Sequence, residues 1–291
     1  MPAPIVIPPL HLATQLKQVT DAELENFAEL IYERTGIHVS PQKKMLLSNR
    51  LRRRLRETGI EDFSSYYQHL KRLRETDAEW DAFLQEITTH ETYLFRDESQ
   101  WNWFRKDFLA ECAAKPAPGA AKRSLRIWSA ACSTGDEPYT AACCIAATLQ
   151  NLPQWNIQIL GTDIGVGALQ QAQAGVFGER AMRLVPEDLR RRFFNMETGS
   201  HLWQARPALT SMLKFRQHNL MSPLREKPFD LVFLKNVLIY FDAASKRTVM
   251  DNVKAMIQPG GLLVAGAAEG ITEFVKDLKR LQPWLYQKMG K

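Results

Sequence analysis

The stretch Ala131-Cys132-Ser133-Thr134-Gly135-Asp136-Glu137-Pro138 joins small, tight-turning residues to two adjacent carboxylates and then to a proline suited to the first turn of a helix. It follows Leu125-Arg126-Ile127-Trp128-Ser129-Ala130, a short run of strand character ending in small residues. A dinucleotide-binding turn would need G-x-G-x-x-G so that the backbone can close on a pyrophosphate; here only Gly135 is present, and Asp136 and Glu137 would repel phosphate. The chemistry suits a cationic ligand without phosphates. Asp163, closing Gly161-Thr162-Asp163 after a second strand-like run, can accept hydrogen bonds from ribose hydroxyls, with the capping of the next helix as its other reading. S-adenosylmethionine meets these demands: it carries a positive sulfonium, a ribose diol and a zwitterionic amino-acid end.

A second concentration of chemistry lies upstream. Between Lys43 and Arg56 the chain carries Lys43, Lys44, Arg50, Arg52, Arg53, Arg54 and Arg56 with no acid among them. On a helix, Leu47, Leu51 and Leu55 share one apolar side and the basic residues cover the rest. A solvated helix usually mixes signs, because Glu–Lys spacing supports it. An unmixed face reads as a docking surface for something acidic, and a plain solvated face is the alternative. The overall charge of +6 is too small for 291 residues to decide between them.

The elements that must position these residues fall into two kinds. From Thr20 the pattern is helical, with Thr20-Asp21-Ala22-Glu23 resembling a capping box ahead of Leu24, Phe27, Leu30 and Ile31, and three or four helices fit before residue 85. After Lys115-Pro116-Ala117-Pro118-Gly119, strand-like runs over residues 125–130, 157–161, 229–234 and 262–266 alternate with helical stretches over 139–150, 167–174 and 243–257. That alternation predicts an α/β fold with a mostly parallel, doubly wound sheet. The prolines of residues 1–15 mark a mobile arm. Cys112, Cys132, Cys143 and Cys144 form no C-x-x-C pair and have no histidine at zinc spacing, so they read as buried thiols and no metal is expected. No apolar run approaches the roughly 18–20 residues needed to cross a bilayer, and Met1-Pro2-Ala3-Pro4 does not open a signal peptide. A cytoplasmic protein without membrane insertion is expected.

Four stretches are together specific: Thr88-Thr89-His90-Glu91-Thr92-Tyr93-Leu94-Phe95-Arg96, the run from Trp128 to Tyr139, Phe229-Asp230-Leu231-Val232-Phe233-Leu234-Lys235-Asn236-Val237-Leu238-Ile239-Tyr240-Phe241, and Gly260-Gly261-Leu262-Leu263. In this order they resemble the chemotaxis receptor methyltransferase family, often called the CheR family, over nearly the whole chain. The resemblance implies a helical N-terminal domain over 16–85, a cofactor-covering segment over 86–120, and a Rossmann-like class I methyltransferase domain over 121–291 with a small antiparallel β-subdomain inserted at about 176–218. It implies cofactor contacts at His90, Thr92, Arg96, Glu137, Asp163, Asn219, Leu220, Asn236 and Val237, with S-adenosylhomocysteine as product. Thr92 and Arg96, four apart, would face one ligand if the stretch were helical. The implied reaction is methyl ester formation on glutamates of a methyl-accepting receptor. Tyr240 is the candidate for lining the reacting space, and Arg50, Arg53, Arg54 and Arg56 for meeting the receptor's cytoplasmic helices, the enzyme acting as a monomer. His90 stands where the family has Asn, Leu94 where it has Phe, Leu234-Lys235 where it has Cys-Arg, and Gly266-Ala267-Ala268-Glu269 where it has Gly-His-Ser-Glu; these departures imply a divergent branch, such as one serving a pilus system. The rival readings are a non-catalytic adaptor that binds the cofactor and receptors, and a nucleic-acid methyltransferase. Asn236-Val237-Leu238-Ile239 lacks the two prolines usual in the latter, so no nucleic-acid partner is expected.

Overall fold

The computed structural model describes residues 18–74, 76–115, 122–197 and 199–290. The arm expected over 1–15 and the prolines of the expected linker lie outside them. Helix α1 (Asp21–Thr35) begins at the expected capping box: the Thr20 hydroxyl accepts from Glu23 N at 3.2 Å and the Glu23 carboxylate accepts from Thr20 N at 2.8 Å. It ends where Gly36 turns left-handed at φ 73°. Then follow α2 (Lys44–Thr58), α3 (Phe63–Arg72) and α4 (Ala78–Ile87), closing a core around Phe27, Leu51, Tyr66 and Phe83. Residues 88–97 are irregular and lead into α5 (Glu98–Trp103), a π-helical turn (Phe104–Phe108) and α6 (Leu109–Ala114).

The second domain is built on β1 (Arg123–Ala130) and β2 (Trp155–Asp163), with helix α7 (Asp136–Thr148) between them and α8 (Val166–Ala174) after β2. Three short strands, β3 (Val176–Phe177), β4 (Phe194–Met196) and β5 (Trp203–Ala205), form a separate antiparallel sheet. Helices α9 (Glu179–Met182), α10 (Glu187–Phe193) and α11 (Pro207–Thr210) accompany it. The chain then returns through β6 (Leu213–Gln217), β7 (Phe229–Leu234), α12 (Ala243–Ala255), β8 (Ile257–Ala265), β9 (Leu278–Gln282) and β10 (Leu285–Lys288). The main sheet has seven strands in the order β6-β2-β1-β7-β8-β10-β9, parallel from β6 to β8 and antiparallel through β10.

The inner strands are apolar in consecutive residues because both faces are covered. Ile127, Leu231 and Phe233 join the layer containing α7, whereas Trp128, Val232 and Leu234 join the layer containing α12. The expected insert is shorter than 176–218: β6 pairs in parallel with β2, and Phe215 stacks on Tyr139 at 6.0 Å, so Leu213–Gln217 belongs to the main sheet. The hairpin of β9 and β10 was not among the expected strands. No helix among the described residues is long and apolar enough to cross a membrane.

Candidate active site

β1 pairs with β2 on one side and β7 on the other, so the strand order reverses at β1 and the loops leaving these strands diverge around a crevice. The helical domain covers it, and a cavity of about 250 Å³ lies between the two. Its wall includes all nine expected cofactor residues, His90, Thr92, Arg96, Glu137, Asp163, Asn219, Leu220, Asn236 and Val237, together with Tyr240 and Arg50.

The turn after β1 is held by left-handed backbone at Ala131 (φ 64°), Ser133 (φ 52°) and Gly135 (φ 89°). Asp163, buried at the end of β2, pins it: Oδ2 accepts from Ser133 N at 2.8 Å, while Oδ1 accepts from Gly165 N at 2.9 Å ahead of α8. The carboxylate therefore supports the next helix, and each oxygen retains a lone pair for a ribose hydroxyl. Of the adjacent acids, Glu137 lines the cavity, while Asp136 is buried and accepts from the Thr134 hydroxyl at 2.6 Å. Burial pushes the Glu137 pKa up, against the pull of Lys235. Glu137 accepts from Ser129 Oγ at 2.7 Å and lies 3.5 Å from Lys235 Nζ, which also pairs with Asp97 at 2.9 Å.

Thr92 and Arg96 both line the cavity, but from an irregular segment that turns left-handed at Phe95 (φ 60°) and Asp97 (φ 66°), and not from one face of a helix. His90 bonds Thr88 Oγ1 through Nε2 at 2.7 Å and presents Nδ1 3.9 Å from Asp163 Oδ1. Burial holds its pKa below the ordinary value, with Asp163 opposing and the Arg50 cation reinforcing that fall. Asn219 Nδ2 donates to the carbonyl of Arg34 at 2.7 Å and its Oδ1 accepts from Met221 N at 3.0 Å, which ties the sheet to α1. Leu220 and Val237 line the cavity with apolar side chains. Asn236 turns left-handed at φ 58°, and Tyr240 closes the 3-10 turn that follows. The Tyr240 ring lies 5.6 Å from Lys43 Nζ, and its backbone carbonyl accepts from His38 N at 2.9 Å.

The basic helix divides. Arg50 is turned to the cavity, donating to the carbonyl of Ile87 and to Thr89 Oγ1 at 2.8 Å. Arg54 is not a docking residue: its side chain is 9% exposed and pairs with Glu79 at 2.6 Å and with Glu57, so its charge is met inside the domain. Arg53 is exposed and reaches Glu86 at 3.0 Å, and Arg56 is exposed.

Sequence reasoning passed over three residues. Ser133 Oγ and His218 Nε2 are buried at the cavity without a hydrogen-bond partner among the described residues, which marks them as donors or acceptors for a ligand. Ser133 lay inside the turn already singled out, so its hydroxyl was a readable signal; His218 had none. The third, Glu269, named above only as the end of the Gly266–Glu269 stretch and given no role, lies behind the Asn236 turn. With acids from the strand ends, an apolar wall and unpartnered polar atoms, the donor set fits S-adenosylmethionine.

A model of the CheR methyltransferase all-alpha domain matches residues 22–88, and a model of the CheR methyltransferase SAM-binding domain matches residues 90–284. The chain is 32% identical over 269 residues to the chemotaxis protein methyltransferase of Salmonella typhimurium, covering 91% of this chain and 89% of that one. It is 34% identical over 266 residues to that of Klebsiella aerogenes, covering 89% and 87%, and 29% identical over 274 residues to that of Borreliella burgdorferi, covering 93% and 95%. Both family models match in succession over a cavity built for their cofactor, and the chain belongs to the CheR methyltransferase family.

Proposed function

We propose that this protein esterifies glutamate side chains on the cytoplasmic helices of a methyl-accepting chemoreceptor-like protein, acting as a cytoplasmic monomer. The observation that carries this reading is the division of charge within one cavity. Asp163 and Glu137 enter from the sheet, the latter beside Lys235, and Arg96 from the covering segment, whereas on the side of Tyr240 the helical domain offers the cations Lys43 and Arg50. Acids suit a sulfonium cofactor, and cations suit an acceptor carboxylate.

Bound there, S-adenosylmethionine supplies an electrophilic methyl whose bond to sulfur breaks as the acceptor oxygen bonds to carbon, leaving a neutral thioether. A glutamate with a pKa of about 4.3 is already ionised at neutral pH, so the protein needs no general base. Its task is positioning and exclusion of water. Arg96 suits the cofactor's carboxylate, Asp163 its ribose, and Leu220 with Val237 its ring. Arg50 and Lys43 draw the acceptor carboxylate in, and the Tyr240 hydroxyl donates to the incoming oxygen.

Incubation with methyl-labelled cofactor and a receptor cytoplasmic fragment tests this. Label released by mild alkali as methanol is the expected result, because an ester hydrolyses under those conditions. Alkali-stable label, or receptor binding without transfer, would overturn the esterification reading; the second outcome would make the protein an adaptor.

A further inference from the structure

Glu269 is fully buried and is not part of the cavity wall, yet its carboxylate meets the backbone of the turn that is. Oε1 accepts from Asn236 N, and Oε2 accepts from Leu238 N at 2.7 Å. The amides on either side of Val237 thus converge on one side chain. Neighbouring N–H groups converge on one anion where a left-handed residue turns the backbone at the start of a helical turn, and here Asn236 supplies that turn with φ 58°. Without an acceptor these buried donors would stand unpaired, and the turn would lose its reason to hold a left-handed asparagine. The fit extends to Gly266: a Cβ there would lie 2.4 Å from Glu269 Oε1 and 3.1 Å from Asn236 N. Lys246 Nζ donates to the Glu269 carbonyl at 2.9 Å and holds the segment from the far side.

We propose that Glu269 is a positioning residue for methyl transfer: its carboxylate, laid across Gly266, sets the Asn236–Val237–Leu238 turn and thereby places Asn236 and Val237 against the cofactor and Tyr240 against the acceptor. The inference rests on the reading of the cavity given above. It assigns Glu269 no contact with either substrate. Removing the carboxylate loosens a wall of the site, so binding and turnover should both suffer while the sheet stands.

Three variants test it in the full-length protein. Glu269→Gln keeps the shape and one acceptor oxygen but sets an NH2 donor against backbone donors; Glu269→Ala removes the acceptor; Gly266→Ala leaves the carboxylate chemically intact and displaces it. Hydrogen exchange at the amides of residues 236–238 should accelerate in all three, most in Glu269→Ala. Affinity for S-adenosylhomocysteine should fall about tenfold or more, the equivalent of one lost charge-assisted hydrogen bond. kcat at saturating cofactor should fall as well, because Tyr240 moves with the turn, and a role confined to stability would leave kcat and affinity unchanged below the melting range. Unchanged exchange, or wild-type affinity and kcat in both Glu269→Gln and Gly266→Ala, would overturn the proposal. The exchange measurement needs no cofactor, so a wild type unable to bind S-adenosylhomocysteine would refute the reading of the cavity separately from the role of Glu269 in the turn.

Discussion

Each oxygen of Asp163 already accepts one backbone N–H, from Ser133 and from Gly165, so truncation of this residue removes more than a ligand contact. Asp163→Ala should destabilise the fold by about 1–3 kcal/mol, the usual penalty for leaving buried donors unpaired, and should weaken both S-adenosylmethionine and S-adenosylhomocysteine. Asp163→Asn, which keeps one acceptor oxygen, should lose affinity with a smaller loss of melting temperature. Calorimetry showing wild-type affinity in the Asn variant would take the carboxylate out of the ribose site. His90 poses a question of sign. Burial holds its folded pKa below the ordinary value near 6.5, so the ring is neutral at neutral pH. The stability tied to its neutral form is complete above the unfolded pKa and is lost as pH falls from there through the lower folded value. Binding of the sulfonium involves the folded ring alone, so it should weaken only as pH falls below the folded value, where a protonated ring would repel it. Binding of the neutral thioether product should change less, and His90→Asn should flatten the difference. Titration calorimetry of both ligands from neutral to mildly acidic pH checks this; parallel curves for variant and wild type would make the ring peripheral.

The helix carrying the basic run shows how an element spends its charges. Arg54 lies with Leu47 and Leu51 on the buried side of α2, and Glu79 on α4 meets it there, with the Tyr66 hydroxyl donating to the same carboxylate at 2.5 Å. Breaking a buried pair by removing one partner leaves the other uncompensated, at a cost of roughly 3–5 kcal/mol. Arg54→Met should approach that loss in denaturant unfolding, and Arg54→Met with Glu79→Leu should recover much of it. A loss below about 1 kcal/mol for the single variant would show that the pair carries little. The sequence displayed seven basic residues in a run of 14 positions without an acid, but Glu79 and Glu86 lie two elements downstream, and local spacing cannot report acids that arrive by tertiary packing. The same limit applied to Thr92 and Arg96, which would face one ligand if the stretch were helical and which line the cavity from irregular backbone turned left-handed at Phe95. It applied again to Leu213–Gln217, assigned to the insert although its pairing partners Ile159–Asp163 lie on β2, far earlier in the chain. What was legible was what repeats locally: the capping box of α1, the doubly apolar inner strands, and the acidic turn at the end of β1.

At the scale of the whole molecule, the cavity exists because two domains are held face to face. Asn219 bonds the carbonyl of Arg34, the Tyr32 hydroxyl reaches Asp242 at 3.0 Å, Ala168 N bonds Gln85 at 3.1 Å, and Ile37 pairs with Phe241 in an isolated bridge. None of these contacts has a sequence signal, which is why the site's residue types could be named but the covering of the strand ends by α1 and α2 could not. That covering places Arg50 at the cavity and leaves Arg53 and Arg56 exposed on the same helix, so substrate docking and cofactor binding should separate by mutation. Arg56→Glu combined with Arg53→Gln, which avoids setting a second acid beside Glu86, should slow methyl transfer to an acidic receptor fragment at least several-fold at low salt. Affinity for S-adenosylhomocysteine should hardly change, since neither side chain lines the cavity. Wild-type rates should fall more steeply with salt than those of the variant, because screening over about 10 Å at 0.1 M removes only an attraction that is present. Initial rates across ionic strength, measured beside cofactor affinity, decide the matter: equal rates and equal salt slopes would make this face of α2 solvated surface, while a parallel loss of cofactor affinity would mean that the two domains share more of the site than the positions of Arg53 and Arg56 imply.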